Sequence, residues 1–226
     1  MPRSTLPDAD PSTDTGPLRQ RAITRQFSDR YAAAEEEVAR IVDATYRVIE
    51  RTGTLDPKVR DILIEAELSS PAFYRHFPSK DELLLVILDD GRRRLAGYLE
   101  HRMEKASSGI GRVHAWIEGM AAQAVDKRAA SRTRPFIANA GRLAEQFPAE
   151  VESSQRLVLD LLVDAIRDAA AAGAIVSADP VRDAWSVFDV AFMFNERHVL
   201  AGTRPSRGDV EHLVAFCDRA LGVVTR

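Results

Sequence analysis

Several things are scarce in this chain, and each scarcity excludes something. Cys217 is the single cysteine, so no internal disulfide is possible, and the composition fits a reducing compartment in which this thiol serves as a small buried apolar side chain. Lysine is confined to Lys58, Lys80, Lys105 and Lys127 among 31 basic residues; the others are arginine. No stretch approaches the roughly 18 to 20 consecutive apolar residues that a membrane span requires. The first 28 residues are polar and proline-bearing, without the apolar segment of a signal peptide, so a cytoplasmic location is expected. A basic excess is missing too: formal net charge is −3, and residues 17–91 hold 11 Lys or Arg against 14 Asp or Glu. Bulk charge therefore argues for no nucleic-acid partner, and only a local basic surface would. The five histidines, His76, His101, His114, His198 and His212, form no HxxxH pair, and there is no glycine-rich phosphate loop. No catalytic residue, metal site or cofactor is expected. Internal repeats and strand-period segments are lacking as well.

What remains is helical. With 45% apolar and 29% charged residues, the 226-residue chain can bury a real core. The most informative stretch is 56–84, which reads as three closely spaced helix starts. Asp56 with Pro57 after it is a cap followed by a first-turn proline, and Val59, Ile62, Leu63 and Ala66 then share one face. Ser69 offers a second cap, with Pro71 in the next first turn. A turn of about three residues between two short helices is helix-turn-helix spacing. Phe73 and Phe77 fall on one side of the second helix, leaving Ser70, Pro71, Tyr74 and Arg75 facing elsewhere. Ser79 stands three residues before Glu82, as in a capping box, ahead of the apolar run Leu83 to Leu88.

In a helix-turn-helix the second helix enters the major groove with its N-terminal residues nearest the base edges. Ser70, Pro71, Ala72 and Arg75 are the base-reading candidates, Arg75 through a bidentate contact to guanine. On residue type alone, Tyr74 and His76 read as packing residues.

Val59-Arg60-Asp61-Ile62, the turn from Ala66 to Ser69, and Phe73 through Leu84 resemble the DNA-binding domain of the tetracycline-repressor (TetR) family, without gaps. The resemblance implies an all-α fold, with an N-terminal three-helix helix-turn-helix domain and a larger C-terminal helical domain for ligand binding and dimerisation. It places Tyr74, His76 and Lys80 at phosphate-holding positions. Two departures stand out. Glu67 occupies the turn position usually held by glycine, so a positive φ there would carry strain. Pro71-Ala72-Phe73 replaces the usual small residue followed by Thr-Leu, which leaves the operator sequence unread.

The flanks complete the picture. Residues 1–27 are expected to be a flexible arm. Its basic end, with Arg19, Arg21 and Arg25, either enters an adjacent minor groove or is a solvated tail. A helix capped by Ser28 should run to Gly53, which makes 28–78 the DNA-binding domain and 79–226 the remainder. After Asp89-Asp90-Gly91, the triplet Arg92-Arg93-Arg94 reads as a solvated helix face. Further helices are expected at about 112–128, from Pro135 to Phe147, at 149–172, at 180–201, and from Asp209 to Leu221.

The helices at 149–172 and 180–201 are apolar over most of their circumference and so need covering on more than one side, most simply by a second copy in a four-helix bundle. Trp116, Met120, Phe136, Trp185, Phe188 and Phe192 are either plain core or the lining of an apolar pocket, and the resemblance implies a small-molecule inducer site. Asn195, Glu196, Arg197 and His198 close one apolar helix, available to a ligand's polar groups, to an ion pair or to solvent. The expected function is a homodimeric, ligand-responsive repressor on a palindromic double-stranded DNA operator. The alternative is a helical protein-interaction or ligand-binding module without DNA binding.

Overall fold

The computed structural model describes residues 17–54, 56–177 and 179–224. It divides into two compact units, Met1–Arg40 and Ile41–Arg226, each taken by itself. The described residues form nine α-helices and no strand.

In the first unit the described part is the opening of α1 (Pro17–Thr52), and none of its described side chains is buried. The helix therefore starts well before the Ser28 cap expected from sequence, and the basic segment with Arg19, Arg21 and Arg25 is helical where a flexible arm was expected. The reason is local. Pro17 supplies a preset first-turn φ, and Leu18, Gln20, Arg21 and Ala22 are good helix formers that composition averaged over residues 1–27 obscured. The Arg25 side chain is exposed; those of Arg19 and Arg21, like residues 1–16, lie outside the described residues.

In the second unit, the end of α1 buries Ile41, Val42, Thr45, Val48 and Ile49. Gly53 then stops it, with φ +64 and its N–H donating to the Ile49 carbonyl at 2.8 Å. Next come α2 (Val59–Ala66) and α3 (Ser70–His76). Ile62, Leu63 and Ala66 are buried on α2, and Phe73 and Phe77 pack with ring centroids 5.5 Å apart. Ser69 caps α3 as read, its Oγ accepting the Ala72 N–H at 3.4 Å. Asp56 does not cap α2. The chain through Lys58 is extended, the Lys58 carbonyl accepts the first α2 N–H groups, and the Asp56 carboxylate pairs with Lys80 instead.

Beyond the motif, α4 (Lys80–Met103) is capped by Ser79 Oγ, which accepts the Glu82 N–H at 3.1 Å. It runs unbroken through Asp89-Asp90-Gly91; one glycine inside a long helix costs only about 1 kcal/mol. After it come α5 (Gly109–Val125), α6 (Lys127–Gln146), α7 (Pro148–Ala171), α8 (Pro180–Ala201) and α9 (Arg207–Ala220). The start of α6 lies two turns ahead of Pro135, the proline taken as its first residue. Asp126 caps it by accepting the Ala129 N–H at 2.7 Å, and Pro135 sits inside the helix. The core packs Leu99 and Met103 of α4 with Trp116 and Ile117 of α5, Leu159 and Leu162 of α7, and Val187 and Phe188 of α8.

At the helix-turn-helix turn, Glu67 has φ 53 and ψ 44, a left-handed conformation that crowds its Cβ. Urea unfolding of Glu67→Gly should show a gain of about 0.5 to 1 kcal/mol, the relief of that crowding less the entropy of a freer unfolded chain. An unchanged or lower midpoint would refute the strain.

Candidate DNA-reading helix and ligand cavity

On α3, Ser70, Pro71, Tyr74 and Arg75 are exposed, Tyr74 at 58%, and His76 is half-buried. Ala72, proposed from sequence as a base reader, is buried at 5% and faces the motif's own core beside Phe73, which withdraws it from any base edge. Lys80 opens α4, where a helix N-terminus attracts anions. Its ammonium is already paired with Asp56 in the structure, so meeting a phosphate requires exchanging one anion for another.

Helix α2 is fastened to α1 by Glu65, which receives Arg47 at 2.9 Å and Arg51 at 3.2 Å. The Arg47 hydrogen bond, before other causes, holds the Glu65 carboxyl below its ordinary value. Two further links run from these N-terminal helices to α6. Glu50 on α1 pairs with Arg132 and, at 3.7 Å, with Arg128, and Asp81 at the start of α4 pairs with Arg142 at 2.6 Å. The Arg132 hydrogen bond is the first cause that depresses Glu50. A depressed carboxyl stabilises the fold above its unfolded pKa and loses that contribution as pH falls through its folded one, so this link is intact at neutral pH.

Behind these links lies a cavity of about 410 Å³ between α4, α5, α6, α7 and α8, with Tyr46 of α1 in its wall. Of the six aromatic and methionine residues singled out from sequence, Met120, Phe136, Phe188 and Phe192 line it. Trp116 and Trp185 lie outside the lining. The Trp116 ring is fully buried, its Nε1 donating to the Val158 carbonyl at 3.0 Å, and Trp185 stands edge-on to Phe188 at 5.7 Å. Phe188 and Phe192 stack almost parallel, with centroids 6.1 Å apart.

Sequence reasoning missed the polar part of the wall. Arg92, Arg94, Arg128 and Arg132 all line the cavity, as does Tyr46. The Tyr46 hydroxyl donates within reach of the Ile87 carbonyl (3.2 Å) and Asp90 (3.1 Å), and burial, followed by Asp90, raises its pKa above the ordinary tyrosine value. Arg94 and Arg132 lie over its ring at 5.5 and 5.8 Å. A signal for Arg92 was present: Leu88, Arg92, Leu95 and Leu99 follow one helical stripe of α4, and a charge on that stripe points where its apolar neighbours point.

Asn195 on α8 is 4% exposed and lines the same cavity. Its Nδ2 donates to the Met120 carbonyl at 2.8 Å, and its Oδ1 has no hydrogen-bond partner among the described residues. Elsewhere, Cys217 is buried, and burial followed by Asp218 pushes its thiol up to about 11, so it is protonated and unreactive at neutral pH. Among the described residues no cluster of three or more His, Cys, Asp or Glu is placed to hold a metal, and no helix is long and apolar enough to cross a membrane.

Comparison with known proteins fits this arrangement. The family described as bacterial regulatory proteins, tetR family, matches residues 41–87, the end of α1 through α2, α3 and the start of α4. That stretch is the helix-turn-helix part of a TetR-family regulator. TetR-family chains are DNA-binding regulators of transcription, which gives the exposed face of α3 its setting.

Solved structures share the fold. A tetR-family regulatory protein from Rhodococcus RHA1 is 17% identical over 84% of this chain and 98% of its own, with TM-score 0.62. FadR from Bacillus subtilis, solved in complex with stearoyl-CoA, is 17% identical over 81% and 95%, with TM-score 0.60. A TetR transcription regulator from Haloarcula marismortui is 16% identical over 83% and 97%, with TM-score 0.64. No curated protein matches the chain.

The Asn195 acceptor, unpaired among the described residues, yields a stability test of this cavity. Asn195→Leu removes one hydrogen bond and one unsatisfied buried acceptor together, so chemical denaturation should show a change of less than about 1 kcal/mol. A loss of about 3 kcal/mol or more would mean that the amide is held by the fold itself.

Proposed function

We propose that this TetR-family chain works as a homodimeric, ligand-responsive repressor. On this reading it holds a near-palindromic operator when its cavity is empty and releases it when a small, largely apolar molecule enters. The observation that carries the proposal is that Tyr46 and Arg132 belong both to the cavity wall and to the contacts between α1 and α6. A ligand that repacks this wall acts directly on a helix of the DNA-binding motif. It needs only a differential affinity for the two arrangements to shift their populations.

In the assignment of roles, Arg75 and Ser70 read base edges with Pro71 beside them, and Tyr74, His76 and Lys80 hold phosphates. Residues 28–78 would be the DNA-binding domain and 79–226 the ligand-binding and dimerisation domain. Dimerisation is assigned to α7 and α8; the exposed apolar side chains Val181, Met193 and Leu200 on α8 support it. Two copies of α3 would then sit about 34 to 36 Å apart, or a multiple, to meet successive major grooves. The cytoplasm is the setting such a DNA-binding switch requires.

Gel shifts with the DNA upstream of the gene test this. Arg75→Ala should weaken binding about tenfold to a hundredfold, and Lys80→Ala should flatten the salt dependence by about one phosphate contact. A folded dimer that binds no such DNA at low salt would instead favour an interaction module, a reading that the acidic balance suits.

A further inference from the structure

We infer that the cavity takes a small apolar molecule bearing one anionic group, a carboxylate or its equivalent, with Arg92 as the residue that meets the charge. This rests on the reading of the cavity as the inducer site and adds the chemistry of the inducer.

Charge in the wall is one-sided. Four arginines line the cavity against a single carboxylate, Asp126, opposite in sign to the −3 of the whole chain. Asp126 is moreover occupied as the cap of α6, with Oδ1 accepting the Ala129 N–H. Three of the arginines are covered by the protein's own acids: Arg94 by Asp90 at 3.0 Å, and Arg128 and Arg132 by Glu50.

Arg92 differs from these three. It is half-buried, its Nη1 donates to the Val151 carbonyl at 2.8 Å, and no carboxylate stands within ion-pair distance of it among the described residues. Burial pushes its guanidinium down to about 10, with Asp89 opposing through space, so it remains charged at neutral pH. A partly buried cation facing an apolar cavity without a counter-ion is costly, and expelling water from that cavity with a neutral ligand makes it costlier. A ligand carboxylate supplies the missing charge and matches the planar fork of the guanidinium.

The rest of the wall limits the ligand's body. Phe188 and Phe192 present stacked rings to an apolar portion. The buried, unpartnered Oδ1 of Asn195 calls for an N–H or O–H donor. A cationic ligand would add a like charge beside the uncompensated Arg92 and is disfavoured.

The test is calorimetric titration of the full-length protein at neutral pH with matched probes. These are linear and phenyl-terminated carboxylates of about six to ten carbons, sized for such a cavity, each paired with the alcohol of the same carbon skeleton. The carboxylates should bind at least about tenfold more tightly than their alcohols, the usual worth of a charge-assisted bond. Arg92→Gln should abolish that preference, the alcohols of the same series reporting whether the cavity itself is still formed. Equal or tighter binding of the alcohols, no binding by either series, or a preference that survives Arg92→Gln would each overturn the inference. Gel shifts without any ligand report separately on the regulator reading, so carboxylate binding through Arg92 by a protein that ignores DNA would sink that reading and leave this one standing.

Discussion

The ion pair between Glu50 and Arg132 is the constraint through which the second unit acts as one mechanism. Glu50 stands on the last turns of α1, the helix that braces the helix-turn-helix, and Arg132 stands on α6, which walls the cavity. Both side chains remain about one-third exposed, at 31% and 36%. An ion pair in such a setting contributes about 1 kcal/mol or less. That modesty suits the role: coupling between sites in regulators is typically about 1 to 3 kcal/mol, and a stronger tie could not be loosened by a ligand of ordinary affinity. The Asp81 to Arg142 pair and the Tyr46 hydroxyl on Asp90 add further contacts among the end of α1, α4 and α6.

Electrostatics explains a contradiction that composition posed. An acidic chain with an acidic N-terminal third makes an odd DNA binder until the charges are placed. Glu50 and Glu65 are consumed by arginines, Asp56 by Lys80, and Asp90 by Tyr46 and Arg94. The exposed face of α3 carries Arg75 and no acid of its own, since α3 holds no Asp or Glu. Net charge counts residues, whereas a phosphate meets only those within a few ångströms.

Much of the fold was legible because the deciding bonds are local. Ser69, Ser79 and Gly53 act on backbone groups within four residues of themselves, and the stripes of α2 and α3 follow directly from helical geometry. The structure departs from the local reading where tertiary packing sets a side chain's place. Asp56 left its cap position for Lys80, Ala72 turned inward with Phe73, and Trp116 spent its N–H on the Val158 carbonyl of another helix. Proline misled in the opposite direction: Pro135 reads as a start, yet the Asp126 cap and the apolar burial of Phe136 and Ile137 carry α6 through it. The cavity's aromatic half was partly visible, but its arginine half was not. A charged residue on an apolar stripe announces itself only when the stripe is followed through Gly91 as a single helix.

Helix α3 is only seven residues long. At about 1.5 Å per residue it rises about 10 Å, the height of about three base pairs. A three-letter word recurs about once in every 64 positions of random DNA, far too often to address one promoter among the vast excess of competing sites. On the proposed reading, so brief a reader would borrow its selectivity: from a duplicate at fixed separation, which multiplies the word length, and from stretches of duplex whose stiffness or groove width is sensed without being touched.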